Sequence, residues 1–481
     1  MLTLNLDPMV EVPLINIGCL FDIPTSSFVK GERGETIING GVDASTGLVG
    51  PGNSFKSTIL HYMALTAADR MEASEPTYVI TYDTELHVKT DRLQSLLKKY
   101  TYLPDDFKRE DGTPIWDVTS KAQYYGDEFV QLLRKYVDER VKSKPTVYNG
   151  MRIGGKPFKG LVPAFVEIDS VTEFEPKTTH DMLNSSKQED SSTNMLFARK
   201  GLFVTKFLSE LPLLSNKGGI RFFLSAHVGK KMDMDANKYQ KPTKDLQYLK
   251  DGEAIKGVSP KFHSLLSTLW LVDGVTMLKN QATKQPEYPN KDEASSLDTD
   301  LNIVRLKPLR NKAGASGFRL PIVVSQNDAV LPDITNFDFI RSNGYFGLQG
   351  SKIHYTSVFL PSVKLQRSNI REKLPKSYKL RQAIQYTADL LQLKIFKPKL
   401  VAMGLWCEPE TLYQDLINLG YDWNELLECR SWWTIDNYAE HLPHYLSIMD
   451  LLLMRNKEYV PYWMDKAPYE ELDEKKKKDT K

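Results

Sequence analysis

Gly50-Pro51-Gly52-Asn53-Ser54-Phe55-Lys56-Ser57-Thr58 is the stretch on which the fold turns. The short apolar run Thr46-Gly47-Leu48-Val49 precedes it, and Ile59, Leu60, Met63 and Ala64 follow at helical spacing. A strand, a small-residue loop and a helix opening on Lys-Ser is an arrangement that holds a nucleotide phosphate. Loop N–H groups and the positive helix N-terminus cradle the phosphates. Gly50 through Thr58 is therefore the candidate cradle, with Lys56 expected to reach the β and γ oxygens and Ser57 to offer its hydroxyl to Mg²⁺. Phe55 stands where the pattern G-x-x-x-x-G-K-[ST] has glycine. Taken alone, the segment also reads as a glycine-rich turn ahead of an ordinary helix.

Outward from this stretch the chain alternates. From about residue 35 to about 330, apolar runs alternate with helical patterns, which predicts an α/β fold with a mostly parallel sheet. The expected strands are Leu48-Val49, Tyr78 to Tyr82, Ala164 to Ile168, Arg221 to Ala226, Leu269 to Val272, Asn302 to Leu306 and Phe318 to Val324. Helices are expected after Lys56, around Phe129-Leu133-Tyr136, and from Met195 to Leu211. Residues 142–160 read as a surface insertion. The polar stretches 173–193 and 228–262 follow directly after two of the strands, where loops of open α/β sheets meet ligands.

Beyond residue 345 the character changes, with five of the seven tryptophans and helical patterns at Leu380-Ile384-Leu391 and Tyr438 to Leu453. The expected organisation is an N-terminal segment (1–35, a possible subunit contact), a core (36–344), a mainly helical C-terminal domain (345–468) and a charged tail (469–481). The net charge of +2 argues neither for nor against nucleic acid, and three scattered cysteines make neither a disulfide framework nor a zinc site. A start without a basic cluster and the lack of a long apolar run predict neither a signal peptide nor a membrane span. The expected compartment is the cytoplasm.

Three further positions carry acids or a histidine at expected strand ends. Glu85, in Thr81-Tyr82-Asp83-Thr84-Glu85, is placed to orient or deprotonate an attacking water. Asp169, closing Ala164 to Ser170, is the candidate that holds Mg²⁺ through a water molecule. Glu167 inside that run is expected to face a polar neighbour. His227, after Arg221 to Ala226, is a candidate γ-phosphate sensor, although a lone histidine also reads as structural.

Taken together, the set resembles the RecA-like strand-exchange ATPases, and within them the UvsX-type phage recombinases. The Gly-Pro-x-x-Ser-Phe-Lys-Ser loop resembles theirs, with Phe55 as a variant of the pattern. Tyr82-Asp83-Thr84-Glu85 is similar to their Tyr-Asp-Ser-Glu, Phe165 to Ser170 to their apolar-Ile-Asp-Ser strand, and Ala226-His227 to an Asn-His strand end. The resemblance covers roughly residues 35–330. It implies a RecA-like P-loop core, ATP and Mg²⁺, DNA-binding loops after Ser170 and His227, and a viral origin, hence the host cytoplasm. It also implies that Arg310 and Lys312 reach a neighbouring subunit's γ-phosphate. Segment 228–262 agrees in part: eight lysines are interleaved with Tyr239, Tyr248 and Phe262, as single-stranded DNA binding asks. Five acids dilute that charge, so a solvated loop reads the same way.

The expected function is a DNA-dependent ATPase that coats single-stranded DNA as a homo-oligomeric filament and promotes homologous pairing. Two rivals share the core: a ring helicase of the DnaB type, and a nucleotide-gated scaffold that engages replication or recombination proteins through the C-terminal domain.

Overall fold

The computed structural model describes residues 14–472, apart from 87, 105, 144–150, 154–155, 158–160, 186–191, 231–245, 259–260, 291–297, 313, 352 and 435–439. A hairpin of β1 (Ser27–Gly31) and β2 (Thr36–Asn39) leads to β3 (Ser45–Gly50) and the helix α1 (Lys56–Glu72). β4 (Tyr78–Asp83), α2 (Thr90–Leu97), β5 (Trp116–Ser120) and α3 (Gly126–Ser143) follow. The short strands β6 (Met151–Ile153) and β7 (Lys156–Pro157) precede β8 (Ala164–Asp169), a 3₁₀ turn at Val171–Glu173, α4 (Lys177–Ser185) and α5 (Ser192–Gly218). Next come β9 (Ile220–Lys230), β10 (Glu253–Ile255), α6 (Lys261–Leu265), β11 (Thr268–Met277), β12 (Leu301–Asn311), β13 (Leu320–Ser325), β14 (Ala329–Val330) and α7 (Pro332–Ser342).

The ten-stranded sheet runs β14-β13-β12-β11-β3-β9-β8-β4-β5, with β10 paired to β9. From β11 to β5 every pairing is parallel. β12, β13 and β14 extend it antiparallel. The protein is therefore α/β with a mixed, mostly parallel central sheet, and each strand expected from the sequence lies in it. The parallel strands read as apolar runs because helices cover them: β8 is buried from Ala164 to Ile168, and β9 from Ile220 to Ala226.

Three expectations shift. β5 was not foreseen; it is an edge strand whose pattern Trp-Asp-Val-Thr-Ser is mostly half-exposed, so it lacks an apolar run. Part of the 142–160 insertion forms β6 and β7, which extend the β1–β2 hairpin into a four-stranded sheet. β9 does not end at His227 but continues to Lys230, pairing antiparallel with β10.

After α7 come three short strands, β15 (Leu348–Gly350), β16 (Tyr355–Ser357) and β17 (Leu360–Leu365), and six helices. These are α8 (Ile370–Lys376), α9 (Tyr378–Phe396), α10 (Pro398–Ala402), α11 (Pro409–Asn418), α12 (Trp423–Leu426) and α13 (Ile448–Arg455). Their apolar residues belong to one hydrophobic cluster with Ile15, Ile37 and the buried face of α1. Polar ties join the same parts: the Thr36 amide donates to Asp450 Oδ1 at 2.6 Å, and the Trp433 amide to Asn16 Oδ1 at 2.9 Å. Asp450 also caps α13 with Ser447, at 2.8 Å between side chains. Residues 1–13 and the tail from 473 lie outside the described residues.

Candidate functional site

Register brings the sequence candidates to one edge. Gly50, the last residue of β3, lies beside His227 of β9, and Asp83 at the end of β4 lies beside Asp169 at the end of β8. The chain leaves β3 through α1 for β4 on one side, and later passes from β9 to β11 on the other side of β3. The carboxyl ends of strands at such a reversal form the crevice where α/β sheets bind ligands.

α1 starts at Lys56 without a side-chain cap and with no acid in its first turn. The first-turn N–H groups have no intrahelical partner, so they are available to an anion. Asn53 and Phe55 stand at φ 51° and 62°. Phe55 thus takes the left-handed backbone that the missing glycine would take freely. That conformation costs a side-chain-bearing residue about 1 kcal/mol. Packing of the half-buried ring against the core offsets it. Ser54 Oγ donates to the Pro51 carbonyl at 2.7 Å, and Lys56 Nζ to the same oxygen at 2.6 Å. Burial pushes the Lys56 ammonium below its usual range, while Asp169 and Glu85 pull it back up.

Ser57, Thr58, Asp83, Glu85, Arg92 and Asp169 line a cavity of about 230 Å³ beside the loop. Asp169 Oδ1 accepts from Ser225 Oγ. Thr84 and Ser170 clasp β4 to β8: the Ser170 amide donates to Thr84 Oγ1 at 2.6 Å, and Thr84 Oγ1 to the Ser170 carbonyl at 2.9 Å. Asp83 accepts the backbone N–H groups of Glu85, Leu86 and Val88 at 3.0, 2.8 and 2.8 Å. This turn fixes the segment that presents Glu85. The sequence reading passed over Asp83; an aspartate just past a strand favours such a turn.

Glu85 Oε1 accepts from Ser170 Oγ at 2.9 Å and lies 3.0 Å from His227 Nε2. The His227 amide in turn donates to Thr172 Oγ1 at 3.0 Å. One carboxylate oxygen therefore touches a residue shortly before each of the two candidate DNA loops. On the other flank, Pro51 to Ser54, Val228, Lys250, Glu253 and Asp273 enclose a cavity of about 240 Å³, so the base of the second loop lies against the cradle.

Glu167 has its polar neighbours. It is fully buried, 3.0 Å from His61 Nδ1 and accepting from Thr81 Oγ1 at 2.5 Å. Trp116 Nε1 donates to Thr81 at 2.8 Å. Burial alone would lower the His61 pKa, but the Glu167 carboxylate, with Asp169 and Asp83, outweighs it and holds the imidazole above its ordinary value.

Arg310 and Lys312 are not brought to this edge. Arg310 pairs with Leu269, which pairs with Gly47, three residues back from Gly50. The Lys312 amide donates to the Ser267 carbonyl at 3.2 Å, at the amino end of the parallel strands. The aromatic expectation for 228–262 also changes. Phe262 is wholly buried in the core, and the half-buried Tyr248 ring packs against Gly317 with Lys307 Nζ 5.2 Å from its centroid. Lys231, Lys238, Tyr239, Lys241 and Lys244 lie outside the described residues.

Among the described residues no group of three or more His, Cys, Asp or Glu side chains is set to hold a metal. Mg²⁺ asks for less: it keeps several waters and uses one or two protein oxygens with substrate phosphates. Ser57 and Asp169, lining one cavity beside Lys56, fit that demand. No described helix is long and apolar enough to cross a membrane. No family model matches the chain, and no curated protein matches it.

Proposed function

We propose that the chain is a RecA-like P-loop ATPase, a recombinase that coats single-stranded DNA as a filament and promotes homologous pairing in the cytoplasm, the host's if the origin is viral. The observation that carries this reading is the Glu85 oxygen shared by Ser170 and His227 at the mouth of the Lys56 loop. It joins the proposed hydrolytic position to the residues that lead into both proposed DNA loops.

ATP binds with its phosphates over residues 50–58. Lys56 neutralises the β and γ oxygens, and Glu85 takes a proton from the attacking water. The water oxygen bonds to the γ-phosphorus as the β–γ bridging P–O bond breaks, leaving ADP and inorganic phosphate. Ser57 directly, and Asp169 through water, would hold Mg²⁺, which supplies charge neutralisation on the phosphates. His227 registers the γ-phosphate and passes its presence to the loop beyond Lys230. Arg310 and Lys312, remote from their own loop, act on a neighbour's nucleotide, where cations complete transition-state stabilisation. The C-terminal region is the proposed contact for replication or recombination proteins.

Replacing Lys56 with Ala is expected to lower DNA-stimulated ATP hydrolysis by about a hundredfold or more. Steady-state turnover with and without single-stranded DNA checks it, and retained stimulation in the variant overturns the assignment. Electron microscopy with DNA and a non-hydrolysable ATP analogue separates the assemblies: helical filaments fit the recombinase, and closed rings fit the helicase.

A further inference from the structure

A second cavity, of about 550 Å³, lies behind α1, between the N-terminal segment around Ile17–Ile23 and the helices α8 and α9. That volume is in the range of small-molecule sites. Its wall combines rings, among them Tyr62 and Trp432, with polar groups that carry unmet hydrogen-bonding capacity. Gln382 is 6% exposed, and its Nε2 makes no well-formed hydrogen bond, its side chain interacting only weakly with the Tyr386 phenol. Arg70 Nη1 is likewise buried and makes no hydrogen bond; Asp22 Oδ2, its ion-pair partner, lies at 3.9 Å, and the guanidinium lies over the Trp432 ring, 5.2 Å from its centroid. Asp389 is buried; Oδ1 accepts from Gln385 at 2.7 Å and Gln392 at 3.3 Å, and its other oxygen accepts none among the described residues.

Buried polar groups left unpaired cost stability, so around a hollow they are paired by water or by a ligand that displaces it. Asp22 gives Arg70 only an ion pair at 3.9 Å, its oxygens each being held by a backbone N–H, of Ile17 and Gly18, at 2.8 and 2.9 Å. The occupant must accept from Gln382 and Arg70 and meet the carboxyl of Asp389. It must also fit beside the rings of Tyr62, Tyr100 and Tyr378, which a flat molecule does; Trp432 already carries Arg70 and Arg430 over its ring. A heteroaromatic ring with neighbouring donors and acceptors on one edge meets all three demands. Burial, with the Asp22 carboxylate beside it, pushes the Asp389 carboxyl well above the usual range, which lets it donate as well as accept.

We infer that this cavity is a second ligand site, separate from the phosphate loop, that takes a nucleobase or nucleoside on Gln382, Arg70 and Asp389. Thr58 and His61 of α1 line both this cavity and the smaller one at Glu85, so an occupant reaches the back of the nucleotide-carrying helix. The inference stands on these contacts and does not require the ATPase reading.

The test is equilibrium dialysis of adenosine, guanosine, cytidine and uridine against the full chain, alone and saturated with a non-hydrolysable ATP analogue. One nucleoside is expected to bind at a single site in both conditions, about tenfold more weakly to the Gln382→Leu variant. Hydrogen exchange on the unaltered protein should show ligand protection in α9 and around Arg70, which keeps the test valid if the variant misfolds. Failure of all four nucleosides to saturate the protein at millimolar concentration overturns the inference. Displacement by the ATP analogue also overturns it, since the cavity is then the base end of the loop's own nucleotide site. Neither failure touches the Lys56 experiment.

Discussion

Two histidine–glutamate pairs lie one strand apart at the same separation of 3.0 Å. Glu85 and His227 meet at the carboxyl edge of the sheet, with side chains 28% and 30% exposed. His61 and Glu167 meet between α1 and β8, 10% and 0% exposed. Contact geometry does not distinguish them; surroundings do. At the edge, water or a phosphate can replace either partner, so the pair can break and reform during a reaction. Inside, Glu167 is closed to solvent, so losing His61 leaves a buried carboxylate with the Thr81 hydroxyl as its remaining side-chain donor. One pair is suited to work, the other to holding α1 on the sheet.

The sharpest way to break that contrast is Glu85→Gln. ATP turnover is expected to fall about 10²–10⁴-fold, the usual worth of a positioned general base. The thermal midpoint should stay put, because the edge pair is half wet. Unchanged turnover would deprive Glu85 of its role and equate the two pairs. The reciprocal change, Glu167→Leu, is expected to cost about 3 kcal/mol in denaturant unfolding. ATP binding should persist in the folded fraction; loss of binding without loss of stability would reverse the assignment.

A finer test uses pH. The folded-state pKa of His61 lies above its unfolded value of 6.5. Its contribution to stability is therefore complete below pH 6.5 and is lost as pH rises through the folded value. Thermal midpoints followed upward from pH 6 should decline in the native protein, and decline less in His61→Gln. Equal slopes would show that the buried pair does not govern this range.

Much of this contrast was legible before the structure. Apolar runs between helical patterns mark covered parallel strands, and acids at their ends foretold where Glu85 and Asp169 stand. Glu167 announced a polar partner by its position inside an apolar run. Its partner His61 was silent, because nothing in a helical sequence tells which strand its face will meet. Asp83 was missed because its work is done on backbone N–H groups, and the turn signal of an aspartate at a strand end is weak beside the neighbouring Glu85. β5 and β15 to β17 are short or half-exposed, so they lack the alternation that betrays a strand. The large cavity was invisible because Asp22, Arg70, Gln382 and Asp389, far apart in sequence, come together only in the folded chain.

Arg310 and Lys312 lie towards the amino end of the parallel strands, the far end from the loop of their own chain. On the proposed reading, each catalytic centre is completed by the next molecule, and the contact joins unlike surfaces head to tail. An open row of such molecules has two different ends and one fewer finished centre than it has members. Turnover per molecule would then climb as the row lengthens, and a lone molecule, however well folded, would hold nucleotide without spending it.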